Sequence, residues 1–263
     1  MEKSEWALIL GASSGFGAAT ALELARRQLN IIGVHLDTRA TLPNAQRVVS
    51  EIEAMGRQAM FFNTNAADLG KRDVVLAKVR ERLQPEGGSI RVMLHSLAFG
   101  TLKPFIAPEP KDAINAAQIQ MTMEVMANSL VYWVQGIVFG QLMGAGGRVL
   151  TMTSSGAHRV IPYYGAVSAA KAALESHVRQ LALELAPLKI TVNAVRAGVT
   201  DTAALRKIPG HEHIAGVAVE RNPHARLTTP EDVARVIGLL SGPEAGWVTG
   251  TVIGVDGGED ITG

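Results

Sequence analysis

Cysteine is missing from all 263 residues, which excludes disulfides, zinc-thiolate sites, iron–sulfur clusters and a thiol nucleophile, so redox chemistry would need a bound cofactor. An excess of charge of either sign is also missing. Lysine plus arginine number 25 against 24 aspartate plus glutamate, and a net charge of +1 supplies no broad field for DNA, RNA or an anionic membrane. Nucleic acid is not an expected partner. Long apolar runs are scarce too: Ser129 to Met143 is broken by Gln135, Gly136, Gly140 and Gln141 and falls short of the roughly 20 residues that cross a bilayer. The chain begins Met-Glu-Lys-Ser-Glu-Trp and enters an apolar strand almost at once, which predicts no signal sequence, no membrane and a cytoplasmic location. With no internal repeat or low-complexity linker, a single domain over 1–263 is expected.

What is present is a regular alternation of strand-like and helix-like segments. Apolar runs at Ala7 to Leu10, Ile31 to His35, Ala59 to Phe62, Ile90 to His95, Arg148 to Thr153, Thr191 to Val195 and Thr251 to Val255 read as strands. Helical patterns fill the gaps at Ala18 to Arg27, Gln46 to Met55, Lys71 to Leu83, Ala113 to Met143, Gly165 to Leu185 and Glu231 to Leu240. This order predicts an α/β, Rossmann-like doubly wound parallel sheet with helices on both faces. Leu130, Val131, Trp133, Val134, Ile137 and Val138 cover more of one helix than a single sheet face needs, so a second packing partner is expected, either self-association or a deep core position. Ala197 to Thr229 shows no clear period and contains Pro209, Gly210, Gly216 and Pro223; lying beyond a strand's carboxyl end, 199–226 is placed to be a substrate lid.

Two groups of residues carry chemistry. Gly11-Ala12-Ser13-Ser14-Gly15-Phe16-Gly17 joins the first strand to the first helix, where glycines allow a tight turn and a helix N-terminus faces negative charge, as a pyrophosphate requires. Farther along, Tyr164 precedes Lys171 by seven residues and follows Ser154 by ten. A phenol near a lysine ammonium and a cofactor ribose can donate a proton to a reducible substrate, and the nearby cation is expected to lower the phenol's pKa. A seven-residue separation spans about 10.5 Å of helix yet keeps both side chains near one face. Tyr163, one residue earlier, is turned away by about 100°. His211 and His213 have no further partners at metal-ligand spacing, so no metal is expected.

The G-x-x-x-G-x-G spacing and the Ser-Tyr-Lys set resemble the short-chain dehydrogenase/reductase family over nearly the whole chain. Asn65-Ala66 stands where that family has an Asp-hydrophobic pair near the adenine, and His95-Ser96-Leu97-Ala98 where it has Asn-Asn-Ala-Gly. Ile190 to Val195 with Ala197-Gly198 resembles its segment beside the nicotinamide, and Val255-Asp256-Gly257-Gly258 its C-terminal signature. The resemblance implies an NADH or NADPH cofactor held by Gly11, Ser13, Ser14, Gly15, Phe16, Gly17, His35, Asn65, Ala66, Ser96, Leu97, Ala98, Lys171, Gly198, Val199, Thr200 and Thr202. Cofactor preference stays open: His35 occupies the usual acidic position, Asp37 favours a ribose hydroxyl and Arg39 a 2′-phosphate.

Carbonyl-reducing members place tyrosine four residues before the lysine, where this chain has Val167. The Tyr-x6-Lys spacing, with Ile161-Pro162-Tyr163-Tyr164, His95-Ser96-Leu97-Ala98-Phe99 and Ala197 to Thr202, is similar to the enoyl-acyl carrier protein reductases. Ser154, where those often have a second tyrosine, is nearer a divergent NADPH-using branch. That resemblance implies reduction of a 2-enoyl thioester on acyl carrier protein or coenzyme A in fatty acid synthesis, with Tyr164 and Ser154 at the thioester oxygen, Lys171 on the ribose and Phe99 lining the substrate pocket. It also implies a homo-oligomer, dimer or tetramer. Met126, where carbonyl-reducing relatives place an asparagine, weakens a 3-oxoacyl or hydroxysteroid reductase reading. A nucleotide-sensing protein without catalysis is the third alternative. The 199–226 segment carries Arg206, Lys207, Arg221 and Arg226, a mildly basic rim suited to an acidic carrier or a phosphate.

Overall fold

In the computed structural model, which describes residues 4–262, seven strands form one parallel sheet. They are β1 (Glu5–Leu10), β2 (Asn30–His35), β3 (Ala59–Asn63), β4 (Ser89–His95), β5 (Arg148–Thr153), β6 (Thr191–Ala197) and β7 (Val252–Val255), in spatial order β3-β2-β1-β4-β5-β6-β7. In β1, Leu8 and Leu10 enter one core while Ala7 and Ile9 enter the other. Both faces being covered, the strand reads as a continuous apolar run. One core packs the sheet against α3 (Leu69–Leu83), α5 (Ser129–Phe139) and α6 (Gly165–Leu185); the other packs it against α1 (Gly15–Arg26), α2 (Leu42–Ala54) and α8 (Pro230–Leu240). The strand order reverses between β1 and β4, which opens a crevice at their carboxyl ends.

Three departures from the sequence reading have local causes. The single helix expected over Ala113 to Met143 is α4 (Ala116–Met123), a π-turn (Glu124–Asn128) and α5. Asn115 and Gln118 form a capping box that starts α4. At its far end Leu142 N–H reaches Ile137 O (2.9 Å) and Gln141 N–H reaches Val138 O (3.0 Å), with Gln141 at φ 55°. This Schellman arrangement stops the helix although Leu142 and Met143 remain buried and continue the apolar pattern. Leu130, Trp133, Val134 and Ile137 are buried within the chain, and Trp133 Nε1 donates to Ala66 O (2.8 Å), so core packing accounts for most of that helix's apolar surface.

Second, α2 starts at Leu42, four residues earlier than expected, because Pro43 fits the first helical turn, where its missing N–H costs nothing. Third, the stretch expected to be irregular contains α7 (His211–Arg221), which buries only Ala218 and therefore shows no apolar stripe.

Candidate active site

The turn after β1 leads directly into α1. A Cβ on Gly17 would lie 2.0 Å from Gly11 O, so only glycine lets the helix start so close to the strand. Ser14 holds the N-cap position of α1 but its side chain makes no capping bond. The first N–H groups of the helix thus lack a side-chain acceptor and fit a phosphate oxygen. Beside this turn, Asp37 is nearly buried: its carboxylate accepts from His35 Nδ1 (2.7 Å) and bonds with the Ser13 and Thr41 side chains. Burial opposes its ionisation, yet these bonds prevail and hold the carboxyl below its ordinary value. His35, the residue expected to face the ribose, is itself turned onto Asp37. Through Ser13, Asp37 meets the glycine-rich turn. Asn65 follows β3, with Oδ1 accepting from Ala67 N–H (3.0 Å), and Ala66 is buried.

A cleft of about 230 Å³ opens beyond β4, β5 and β6. It brings together Phe16, Ser96, Leu97, Ala98, Phe99, Ser154, Tyr164, Lys171, Gly198, Val199, Thr200 and Thr202. Gly11, Ser13, Ser14, Gly15, Gly17, His35, Asn65 and Ala66 lie outside its lining, toward β1, β2 and β3. Leu102, Ile161, Leu205, Ile208 and Ile214 add apolar surface that spacing arguments had not marked. The last three come from the 199–226 segment, and their apolar character was the available signal. Phe99 is 60% exposed at the mouth, so it is not a core residue, and Lys207 Nζ stands 6.0 Å from its ring centroid. Tyr163 is absent from the lining, exposed and at φ 65°.

Lys171 is buried, and its Nζ donates to Met152 O at the end of β5 (2.8 Å). Burial lowers its pKa to about 8, against an opposing effect of the Glu175 carboxylate. Tyr164 departs from expectation: burial raises its pKa, and only the Ser154 hydroxyl acts in the lowering direction. The ammonium is directed at a backbone carbonyl, so desolvation of the phenol dominates. His95, buried beneath the cleft, is pushed down to about 3 by burial and by Lys171, and so is neutral. Ser129 Oγ–H donates to Val125 O (2.8 Å), so His95 Nε2–H donates to Ser129 Oγ (2.8 Å) and pins the π-turn.

Gly156 makes the tyrosine register sterically feasible. Its N–H donates to Ser154 Oγ (3.1 Å), and a Cβ there would lie 2.6 Å from Tyr164 Cε1. With its oxygen already accepting from Gly156, the Ser154 hydroxyl keeps its proton to donate toward Tyr164 or a substrate oxygen. Val167, four residues before Lys171, is buried beside Gly100 and Met126 and lines the cleft, and it offers no proton to a substrate there. Gly156→Ala is expected to lower kcat roughly 10- to 100-fold by displacing the phenol, with cofactor affinity unchanged, as read by steady-state kinetics beside a fluorescence titration. Wild-type turnover would show that the ring is not held by this contact.

The mildly basic rim expected from composition is partly neutralised. Arg206 donates to both Asp201 oxygens (2.8 Å each), and Arg226 pairs with Asp232 (2.6 Å). No helix among the described residues is long and apolar enough to cross a membrane.

A family model described as Enoyl-(Acyl carrier protein) reductase matches residues 11–259. The chain belongs to that short-chain dehydrogenase/reductase family. This reductase is 32% identical to 1-cyclohexenylcarbonyl-CoA reductase of Streptomyces collinus, over 99% of this chain and 88% of the relative. It is 30% identical to versicolorin reductase 1 of Aspergillus parasiticus, over 96% and 95% respectively. Among solved structures, a short-chain dehydrogenase of Burkholderia cenocepacia in complex with NADP superposes with a TM-score of 0.82 at 27% identity, covering 98% of each chain. An enoyl-(acyl-carrier-protein) reductase of Anaplasma phagocytophilum in complex with NAD shares the fold (TM-score 0.83, 22% identity, 99% of this chain and 94% of that one). The reductase is an NAD(P)H-dependent oxidoreductase with the fold of its family.

Proposed function

We propose that this reductase saturates the double bond of a 2-enoyl thioester, with Tyr164 as proton donor and oxyanion stabiliser, Ser154 as second donor to the thioester oxygen, and Lys171 on the nicotinamide ribose. The observation that carries this reading is the position of Tyr164, seven residues before Lys171 in an apolar cleft, while the four-residue position holds a buried valine. When bound, the reduced nicotinamide supplies the hydride to the β-carbon. Negative charge then develops on the carbonyl oxygen, three bonds from that carbon, where a donor displaced by nearly a turn can meet it. The glycine-rich turn and α1 hold the pyrophosphate, Ser96 to Ala98 and Gly198 to Thr202 flank the ring, and Asn65-Ala66 lies toward the adenine. Phe99, with Leu205, Ile208 and Ile214 from a lid over 199–226, packs the acyl group. Lys207 at the mouth suits a phosphate of coenzyme A or of a carrier protein's pantetheine.

The likeness to 1-cyclohexenylcarbonyl-CoA reductase supports an unsaturated acyl thioester, and the likeness to versicolorin reductase 1 favours a second reading, carbonyl reduction. Loss of reduced cofactor with crotonyl-coenzyme A or crotonyl-carrier protein, but not with the 3-oxobutyryl thioesters, is the expected result. The opposite pattern rejects the first reading.

The pH dependence follows from Lys171. Its cationic form binds the ribose hydroxyls, so activity present below a pKa of about 8 is lost as pH rises through it. In a profile of kcat/KM, which reports the free enzyme, the alkaline limb is expected there, and Lys171→Arg removes it. A profile unchanged up to the ordinary lysine value of 10.5 would assign the limb elsewhere.

A further inference from the structure

Two loops wall the cleft: one after β5, carrying Ser154, Ile161 and Tyr164, and one after β6, carrying Gly198 to Thr202. Thr153 and Arg196 are the last paired residues of these strands, and beyond them no hydrogen bond joins the two loops among the described residues. The C-terminal Asp256–Asp260 segment touches both. The Asp260 carboxylate lies 2.8 Å from Arg159 Nε and 3.1 Å from His158 Nε2 on the first loop, and 3.1 Å from Arg196 Nη2 at the base of the second. Arg159 also donates to the Asp260 carbonyl. Glu259 Oε2 accepts from Val199 N–H (2.9 Å) in the second loop. The segment is itself held in shape, because the Asp256 carboxylate accepts from the Gly258 and Asp260 N–H groups (3.0 and 3.2 Å). Asn222 Nδ2 donates to Asp256 O (2.9 Å) and Thr262 Oγ1 to Arg221 O (2.8 Å), which ties in the end of α7.

We propose that this segment is a latch that sets the distance between the two walls, with Asp260 and Glu259 as positioning residues for Tyr164 and for the loop beside the nicotinamide. The Asp260 side chain is only 10% exposed, so its ion pairs with Arg159 and Arg196 are weakly screened. One carboxylate facing cations from two loops couples them: neutralising it removes an ion pair from Arg159 and from Arg196 together. The inference rests on the proposed role of Tyr164, and part of its test requires no substrate.

The test uses the full chain. Asp260→Asn is expected to lower kcat about tenfold and, in a Tyr164→Phe background, to cause no further loss, because its effect passes through the phenol. Glu259→Ala is expected to weaken binding of NADH and NADPH about tenfold, and Glu259→Gln, which keeps an acceptor for Val199, to restore it. Should Asp260→Asn fail to fold, Arg159→Gln cuts the same pair from the other side and must show the same dependence on Tyr164. Wild-type turnover in folded Asp260→Asn, equal losses with and without the phenol, or unchanged cofactor affinity in Glu259→Ala would overturn the latch. The cofactor-binding arm remains decisive for Glu259 even if the substrate proves to be a ketone.

Discussion

Tyr164→Phe is expected to lower kcat by ~10²–10⁴-fold, the range for removing a positioned proton donor, with cofactor affinity and folding unchanged. The substitution deletes one oxygen from a ring already accommodated against Gly156, so no cavity or clash accompanies it. Because burial raises the phenol's pKa, the hydroxyl keeps its proton throughout the working range and acts as an acid and hydrogen-bond donor. Ser154 remains, with its oxygen accepting from Gly156 N–H, and can stabilise part of the developing charge; activity should therefore fall short of zero. Adding Ser154→Ala to Tyr164→Phe should remove much of that remainder. Stopped-flow measurement of cofactor oxidation under single-turnover conditions isolates the chemical step. A phenylalanine variant that transfers hydride at the wild-type rate would disprove the assigned role, whichever substrate is turned over.

The alternation of strands and helices and the glycine-rich turn were legible because their signals are local. Apolar runs buried on both faces, such as Ala7 to Leu10, can hardly be anything else when helices intervene. Gly17 is required by contact with a residue six positions away. Tyr164, Lys171 and Ser154 could be chosen because their places after a strand and at the start of a helix match the family's Ser-Tyr-Lys layout, and they do share the cleft.

What escaped was set by partners remote in sequence or by deviations from ideal helix geometry. The π-turn at Glu124–Asn128 is stabilised by Ser129 and His95, and an added residue per turn leaves no mark in a pattern averaged over a helix. The direction of the Tyr164 shift depends on where Lys171 Nζ points, toward Met152 O, which no spacing specifies. Asp260 attracted no notice because its partners lie 64 to 102 positions away, at Arg196, Arg159 and His158. The charged 199–226 rim misled in the other direction. Composition counts Arg206 and Arg226 as free, whereas Asp201 and Asp232 pair with them.

NADH is expected to be preferred over NADPH by at least about tenfold in kcat/KM, and the preference should rest on Asp37. The sequence offers opposite signals two residues apart, Asp37 and Arg39, and the structure separates them by environment. Asp37 has an 8% exposed side chain, a 2.7 Å bond from His35 and a bond with Ser13 of the glycine-rich turn, and it is held in ionised form. Asn63 fixes its backbone from both sides, accepting from Asp37 N–H (2.9 Å) and donating to Asp37 O (3.0 Å). Arg39 is exposed and forms no ion pair among the described residues. A fixed, poorly screened carboxylate acts strongly on a dianionic 2′-phosphate placed beside it, whereas an exposed guanidinium contributes about 0–1 kcal/mol. Between these magnitudes the carboxylate decides. A hydrogen bond from a ribose hydroxyl to a charged acceptor contributes about 1.5–3 kcal/mol, so Asp37→Asn should cost roughly 10- to 100-fold in kcat/KM with NADH while improving NADPH. Arg39→Ala should change the NADH value little. Wild-type preference for NADPH, lost on Arg39→Ala, would mean that the loop after β2 rearranges around the phosphate and that the carboxylate turns away.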